Sequence, residues 1–374
     1  MPRLLLFLTL TAATAAAAAD EPGFALRLGD NWRVTPYVAP GYTPEMGALL
    51  AAGGLFSFAS DPVDTACRRS NFPVAVAYST TGAITCSAVL ASYWDGDRVR
   101  VPVDLWFKSM PDNYYGAGYD AARNTVESDS TTAYHRTWAW FNPRFLVRVK
   151  GPLYAGLDWD VNYTLAAEVN PVMAADPAYA ATGAENFNNG VGAILLYDSR
   201  DVPVNAWTGA YFSGRARFYG KALGGDNDYQ IYDFDYRYYL PVGGPGRTLA
   251  WQFRTRIGKG GVPWAEMSQP GTPFDLRGYR WGRYRDNAML YMLAEYRHML
   301  RRDDGQTGPH GLVGWVGGGS IAPEARDFRD WLPNFGVGYR LQVQPRMNLR
   351  LDVGFGKEEG GWEPALYFNF NEAF

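Results

Sequence analysis

Cysteine and histidine are almost missing from this chain, which has two of the former and three of the latter in 374 residues. That scarcity excludes a disulfide-dense scaffold, and no pair among them has metal-ligand spacing. Charged residues are also few, at 20%, and nearly balanced at a net −3, so no basic surface for nucleic acid is expected. Beyond the amino terminus there is no run of about 18 apolar residues, so no transmembrane helix is available. Catalysis finds little support in His135, His298 and His310. A hydrolase would need one of them near a Ser or Thr nucleophile with a polar orienter. His298 shares the outward face of a strand with Ala294 and Tyr296, where a lone histidine reads as an interfacial residue. No catalytic residue, cofactor or metal site is therefore expected.

What the chain has in quantity is aromatics, 16% of all residues, with 25 Tyr and 13 Trp. Arg3, the apolar run Leu4–Leu10 and the small residues Ala17–Ala19 read as a secretory signal peptide over 1–19. At the other end, Leu366, Phe368 and Phe370 alternate with Tyr367, Asn369 and Asn371, and the sequence stops at Phe374. That pattern fits the closing strand of an outer-membrane barrel, in which Leu366, Phe368, Phe370 and Phe374 form an assembly signal and the last aromatic lies at the membrane interface. The same period recurs inside the chain. Phe335, Val337, Tyr339 and Leu341 oppose Gly336, Gly338, Arg340 and Gln342; Leu349, Leu351 and Val353 oppose Arg350 and Asp352. Leu157, Trp159 and Val161 oppose Asp158 and Asp160, and Tyr232–Tyr239 and Leu249–Ile257 alternate likewise. A helical period would scatter these charges, whereas a strand period collects them on one face, which becomes a charged lumen.

Short breaks at 150–152, 199–206, 241–247 and 344–346 alternate with long ones at 109–130, 167–188, 259–285 and 321–333, as periplasmic turns and extracellular loops should. The expected fold is all-β: a single transmembrane antiparallel β-barrel over 46–374, preceded by a short periplasmic segment or first strand over 20–45. Fifteen strands can be drawn, including 71–80, 83–94, 97–108 and 189–199, whereas a bacterial barrel favours an even number. Residues 32–40, poor in strand character because of Pro36 and Pro40, would give sixteen. Treating 71–80 as a loop would give fourteen. The choice bears on a possible disulfide between Cys67 and Cys86, because a straight hairpin of 71–80 with 83–94 sets Cys86 near Tyr78 and away from Cys67.

From residue 189 onward the motifs come in a recognisable order. They are Gly190–Asp201 ending in Asp-Ser-Arg-Asp, Phe274–Asp286 with Leu276-Arg277-Gly278-Tyr279, the Glu-Tyr-Arg of 295–297, Asn334–Arg340, Leu349–Val353 and the terminal strand. Together they resemble the Omp85 superfamily, the bacterial surface antigen (D15) or BamA/TamA type of barrel. The resemblance implies a Gram-negative outer-membrane location and a loop, 259–285, folded into the lumen as a gate or plug. It also implies that Arg277 pairs with carboxylates on the barrel wall, and alternation offers Glu295 and Asp352. A further acidic partner, usual in the strand matching Leu312–Ser320, is missing here. Family members insert or translocate proteins, and their POTRA domains collect clients; residues 20–45 are too few for such a domain. The implied partners are outer-membrane lipid, the barrel assembly machinery during biogenesis, and an unknown client protein or lipid, with no nucleic acid. The rival reading is a porin-like solute channel.

Overall fold

The computed structural model describes residues 6–8, 26–28, 31–43, 47–60, 69–344 and 346–374. Their alternating segments become one antiparallel meander of sixteen long strands. These are β1 (Trp32–Thr43), β2 (Gly47–Phe58), β3 (Ser70–Ser79), β4 (Ile84–Leu90), β5 (Val103–Asn113), β6 (Ala133–Lys150), β7 (Leu153–Ala167) and β8 (Glu185–Asp198). The second half comprises β9 (Gly209–Tyr219), β10 (Tyr229–Pro241), β11 (Arg247–Gly260), β12 (Ala288–Arg301), β13 (Thr307–Ala322), β14 (Leu332–Gln344), β15 (Met347–Glu358) and β16 (Gly361–Phe370). Each pairs with the next, from Trp32↔Phe58 to Leu349↔Phe370. None of the described helices is long and apolar enough to cross a membrane, so the strands make the span.

Sixteen strands result because 32–43 forms a full strand in spite of its prolines. Pro36 lies opposite Gly54 and Pro40 opposite Leu50, and β1 has a long partner on one side only, so the missing N–H groups interrupt no central ladder. Among the described residues no ladder joins β1 to β16, and the sheet is not closed at that seam. Of the expected signal peptide, only Leu6–Leu8 lies among the described residues, paired in parallel with Leu366–Phe368.

One expected strand is shorter than its apolar pattern suggested and the next is displaced toward the carboxyl end. Segments 83–94 and 97–108 give way to β4, β5 and a connection, 91–102, that carries its own two-residue ladder, Tyr93↔Arg100 and Trp94↔Val99. Asp95, Gly96 and Asp97 all have positive φ, which turns the chain sharply. Asp97 then takes Arg100 in a two-pronged contact of 2.6 and 2.7 Å. The straight β3–β4 hairpin sets Cys86 opposite Val76, with its thiol free; Cys67 lies outside the described residues. On the extracellular side the long connections hold short helices at Tyr119–Asn124, Pro171–Ala175 and Pro177–Thr182.

Facing follows the period of two. Val337, Leu157 and Val316 are among the most exposed large apolar residues and point to lipid, whereas Asp158, Asp160, Asn188, Arg340 and Asp352 on the opposite face are buried. That inner face is a packed polar network: Arg217 Nη1 donates to Asp160 at 2.6 Å, and Asn142 Nδ2 donates to Asp158 at 2.6 Å.

Facing can be tested by substitution. Val337→Arg should destabilise the barrel by roughly 2–4 kcal/mol if it lies near the bilayer midplane. Gly338→Ala should fail for a different reason, because its Cβ would stand 2.0 Å from Asp352 Oδ1. Unfolding in urea from vesicles of two thicknesses separates the two. The Val337→Arg penalty should change with thickness, and the Gly338→Ala penalty should not.

Candidate functional site in the barrel lumen

The connection between β11 and β12, residues 261–287, folds back along the inner face of the sheet. Its closest approach is at Gly278, where φ is +118° and a Cβ would stand 2.3 Å from Gly356 N. A Cβ on Gly354 would meet the Arg277 carbonyl carbon at 2.7 Å. Glycine on both sides therefore lets loop backbone lie directly on β15. Barrel side chains satisfy loop backbone, and a loop side chain satisfies barrel backbone in return. Gly278 N donates to Tyr367 Oη at 2.7 Å and Asn334 Nδ2 to Arg277 O at 3.1 Å, while Tyr279 Oη donates to Pro333 O at 2.8 Å. Leu276, Tyr279 and Tyr284 join Tyr291, Leu293 and Phe374 in one apolar cluster.

Arg277 is fully buried. Its Nη1 donates to Asp352 Oδ2 and its Nη2 to Glu295 Oε2, each at 2.7 Å. Its Cζ stands 3.6 Å from the centroid of Trp315. Trp315 lies opposite Glu295 in the β12–β13 ladder, in the strand where an acidic residue was missing. An indole face thus occupies the third side of the guanidinium by cation–π attraction. Gly336 makes the space, since a Cβ there would lie 2.1 Å from Trp315 Cζ2.

The network extends beyond this trio. Asp352 also accepts from Arg340 Nη1 at 2.5 Å, Glu295 from Arg297 Nε at 2.8 Å, and Glu372 from Arg340 Nε at 2.8 Å and Asn348 Nδ2 at 2.7 Å. Arg350 donates to Pro273 O of the loop at 2.8 Å, and its Nε is 3.5 Å from Asp352. Sequence reasoning missed Trp315, Tyr367 and Glu372 as members. Alternation alone could have placed Tyr367 and Trp315 inward.

Phe374 needs correction. It was expected at the lipid interface, yet it is buried beside Tyr239 with ring centroids 6.5 Å apart, and Arg297 Nη2 donates to its carbonyl oxygen at 2.8 Å. Asn371 takes a left-handed φ of +64°, and the turned-in Glu372 is held by Arg340 of β14. Leu366 and Phe368 stay in β16 and are half-buried; the side chain of Phe370 lies outside the described residues.

The histidines sit apart from this network. His298 Nδ1 is 3.3 Å from Tyr296 Oη, and His135 Nε2 is 2.9 Å from Ser109 Oγ across β5 and β6. Among the described residues no carboxylate or amide orients His135, and no group of His, Cys, Asp or Glu could hold a metal.

Loop acids carry unusual protonation. Burial pushes Glu266 up to about 7, with Asp160 adding to the effect and Arg256, Arg136 and Arg217 opposing it; burial pushes Asp286 up to about 6.

A family model described as the Omp85 superfamily domain matches residues 77–374. Among solved structures, the chain is similar to BamA from Haemophilus ducreyi lacking POTRA domains 1–3. That match has a TM-score of 0.60 and 13% identity, and covers 92% of this chain and 70% of that one. It is similar also to CdiB from Escherichia coli (TM-score 0.56, 11% identity, 91% of this chain and 62% of that one). CdiB from Acinetobacter baumannii gives 0.52 and 10%, covering 90% of this chain and 65% of that one. The chain thus spans less than two thirds of either CdiB. No curated protein sequence matches it.

Two outcomes are expected at this site. Removing one member of a buried charge pair commonly costs about 3–5 kcal/mol, so Arg277→Ala should release the loop to external protease. Combined with Asp352→Asn or Glu295→Gln, it should show coupling well above the ~0.5 kcal/mol of independent positions. Strict additivity with both carboxylates would remove the pairing. The second outcome concerns pH. A docked loop whose acids have raised pKa values binds more protons than a free loop between the ordinary carboxyl range and about pH 7, so docking weakens as pH rises through that window. Cleavage within 261–287 should increase from pH 5 to pH 8, and Glu266→Gln should flatten the profile.

Proposed function

Because the chain belongs to the Omp85 superfamily and is an outer-membrane β-barrel of a Gram-negative bacterium, we propose that it inserts or translocates proteins at that membrane, with the 261–287 loop as its gate. The carrying observation is the seam: among the described residues β1 and β16 are not paired, while every other neighbouring pair of long strands is. Among the described residues those two edges carry only three-residue ladders, Leu6–Leu8 on β16 and Leu26–Leu28 on β1; the rest of each edge is a template for an incoming strand, and a proline-bearing edge such as β1 makes a weak closing ladder. The loop supports the gating part of this reading. It lies on β14–β16 through Tyr279, Asn334 and Tyr367, next to that seam, so a change in loop position bears on the last strands directly. Outer-membrane lipid and the assembly machinery that folds barrels are the partners this reading names. No residue is assigned to catalysis.

The test is reconstitution. Proteoliposomes carrying the chain should accelerate folding of a urea-denatured outer-membrane barrel, and a cysteine pair locking β1 to β16 should abolish the acceleration until reduced. In planar bilayers the protein should be mostly silent with brief large openings, lengthened by Arg277→Ala. Steady conductance that tracks the lumen arginines, without any folding activity, would instead establish the solute channel.

A further inference from the structure

A cavity of about 640 Å³ opens at the extracellular mouth of the barrel, where the connections 114–132 and 323–331 meet the end of the docked loop. Four carboxylates line it, Asp120, Asp327 and Asp330 from the connections and Asp286 from the loop, against the single guanidinium of Arg329. The four differ in their surroundings. Asp120 and Asp330 are exposed, whereas Asp286 is only 7% exposed. Its Oδ1 accepts from Asn287 N at 2.8 Å, and its Oδ2 has no hydrogen-bond partner among the described residues. Burial raises its pKa and only the Asn287 N–H opposes the rise, so no neighbouring cation neutralises it. The backbone around it is tied down: Ser268 and Asp286 exchange hydrogen bonds of 2.8 and 3.2 Å, and Gly118 N donates to Arg285 O at 2.8 Å. A fixed, buried and uncompensated carboxylate thus lies at the base of a cavity whose more exposed lining is acidic.

We propose that this cavity binds a linear alkyl dication, a diamine or polyamine, with one ammonium group on Asp286. An ammonium brings three donors and can give Oδ2 a charge-assisted hydrogen bond. Folding has already desolvated that carboxylate, so an arriving cation gains the attraction without a second burial cost on the protein side. The volume falls within the roughly 300–1,000 Å³ of small-molecule sites, and Tyr119, Ile321 and Pro323 offer apolar surface to the methylenes. A point cation suits the cavity less well. Among the described residues no group of His, Cys, Asp or Glu could hold a metal ion, so the four carboxylates do not converge on one position. Charge spread along a chain matches acids spread over a cavity, with the second ammonium meeting Asp327 and Asp330.

Titration calorimetry on the folded full-length chain, with cadaverine as the probe and at a pH that keeps Asp286 ionised, tests this. Cadaverine should bind saturably, with pentylamine and magnesium each weaker by roughly tenfold or more. Asp286→Asn keeps the shape and the Oδ1 acceptor, and it should weaken cadaverine by a similar factor. Asp327→Asn combined with Asp330→Asn should weaken cadaverine and leave pentylamine unchanged, with folding of each variant verified by heat-modifiable migration. Glu324→Gln, in the same connection but paired with Arg326, should bind as the parent does. Absence of saturable cadaverine binding by the parent would overturn the proposal. So would parent-like binding by folded Asp286→Asn, or binding of pentylamine or magnesium as tightly as cadaverine.

Discussion

A permanent charge with no solvent exposure governs the inner half of this barrel. The Arg277 guanidinium, left without partners in the interior, would cost several kcal/mol. Three neighbours offset that cost, each from a different strand: Glu295 on β12, Trp315 on β13 and Asp352 on β15. Each imposes a demand on the residues around it. Trp315 needs Gly336, Arg277 needs Gly354 behind its backbone, and Asp352 needs Gly338 beside its carboxylate. The glycines on the lumen side of these strands are thus sites where the loop or a large inward side chain has taken the available space. They weaken the strands themselves, since glycine has poor strand propensity. The barrel accepts this because neighbouring ladders and the docked loop hold the segment.

The same pairing of charges continues along the inner face of the other strands. A charged inner face can remain solvated, as in a channel, or it can be neutralised pairwise. Here Asp158, Asp160, Asn142 and Arg217 hydrogen-bond or pair with one another across three strands, and the loop and the turned-in chain end occupy the far side. Trp264 reaches from the loop to Gly183 O at 2.9 Å, and Gly118 N donates to Arg285 O at 2.8 Å. The extracellular connections therefore roof the loop as well as bordering it. Below, Arg346 in the β14–β15 turn stacks 3.8 Å from the Trp207 ring centroid and reaches Asp201 at 2.8 Å. That contact ties two turns far apart in sequence at the periplasmic end.

Strand order and facing were legible because a period of two survives lipid on one face and charge on the other. Val337 against Gly338 and Leu351 against Asp352 needed no further information. Glu295 and Asp352 could be named as inward carboxylates for the same reason, and the structure has both within hydrogen-bond distance of Arg277. Other features were not legible because they depend on contacts distant in sequence. The Tyr93–Arg100 excursion is set by Asp97 meeting Arg100 and Tyr154, which alternation does not encode. The inward course of Phe374 depends on Glu372 meeting Arg340, 32 residues away. A terminal aromatic after an apolar-faced strand reads as interfacial until that carboxylate is taken into account. Trp315 was passed over because a search for an acidic partner does not register an indole face, although for a desolvated guanidinium the two do related work.

Arg340 is where these separate features meet. Through Nη1 it holds Asp352, the carboxylate that anchors the loop, and through Nε it holds Glu372, which anchors the chain end. The loop and the chain end therefore draw on one cation. If Glu372 withdraws, Arg340 loses a partner and leans its full charge on Asp352, which then competes less strongly for Arg277. If the loop withdraws, Asp352 turns wholly to Arg340 and Arg350, and Glu372 is the group left under-compensated. Groups that share partners in this way do not contribute independently, and a buried network with one member missing is worse than either the full network or none. The docked loop and the inward chain end are consequently one structural state, held together by a charge that neither of them carries.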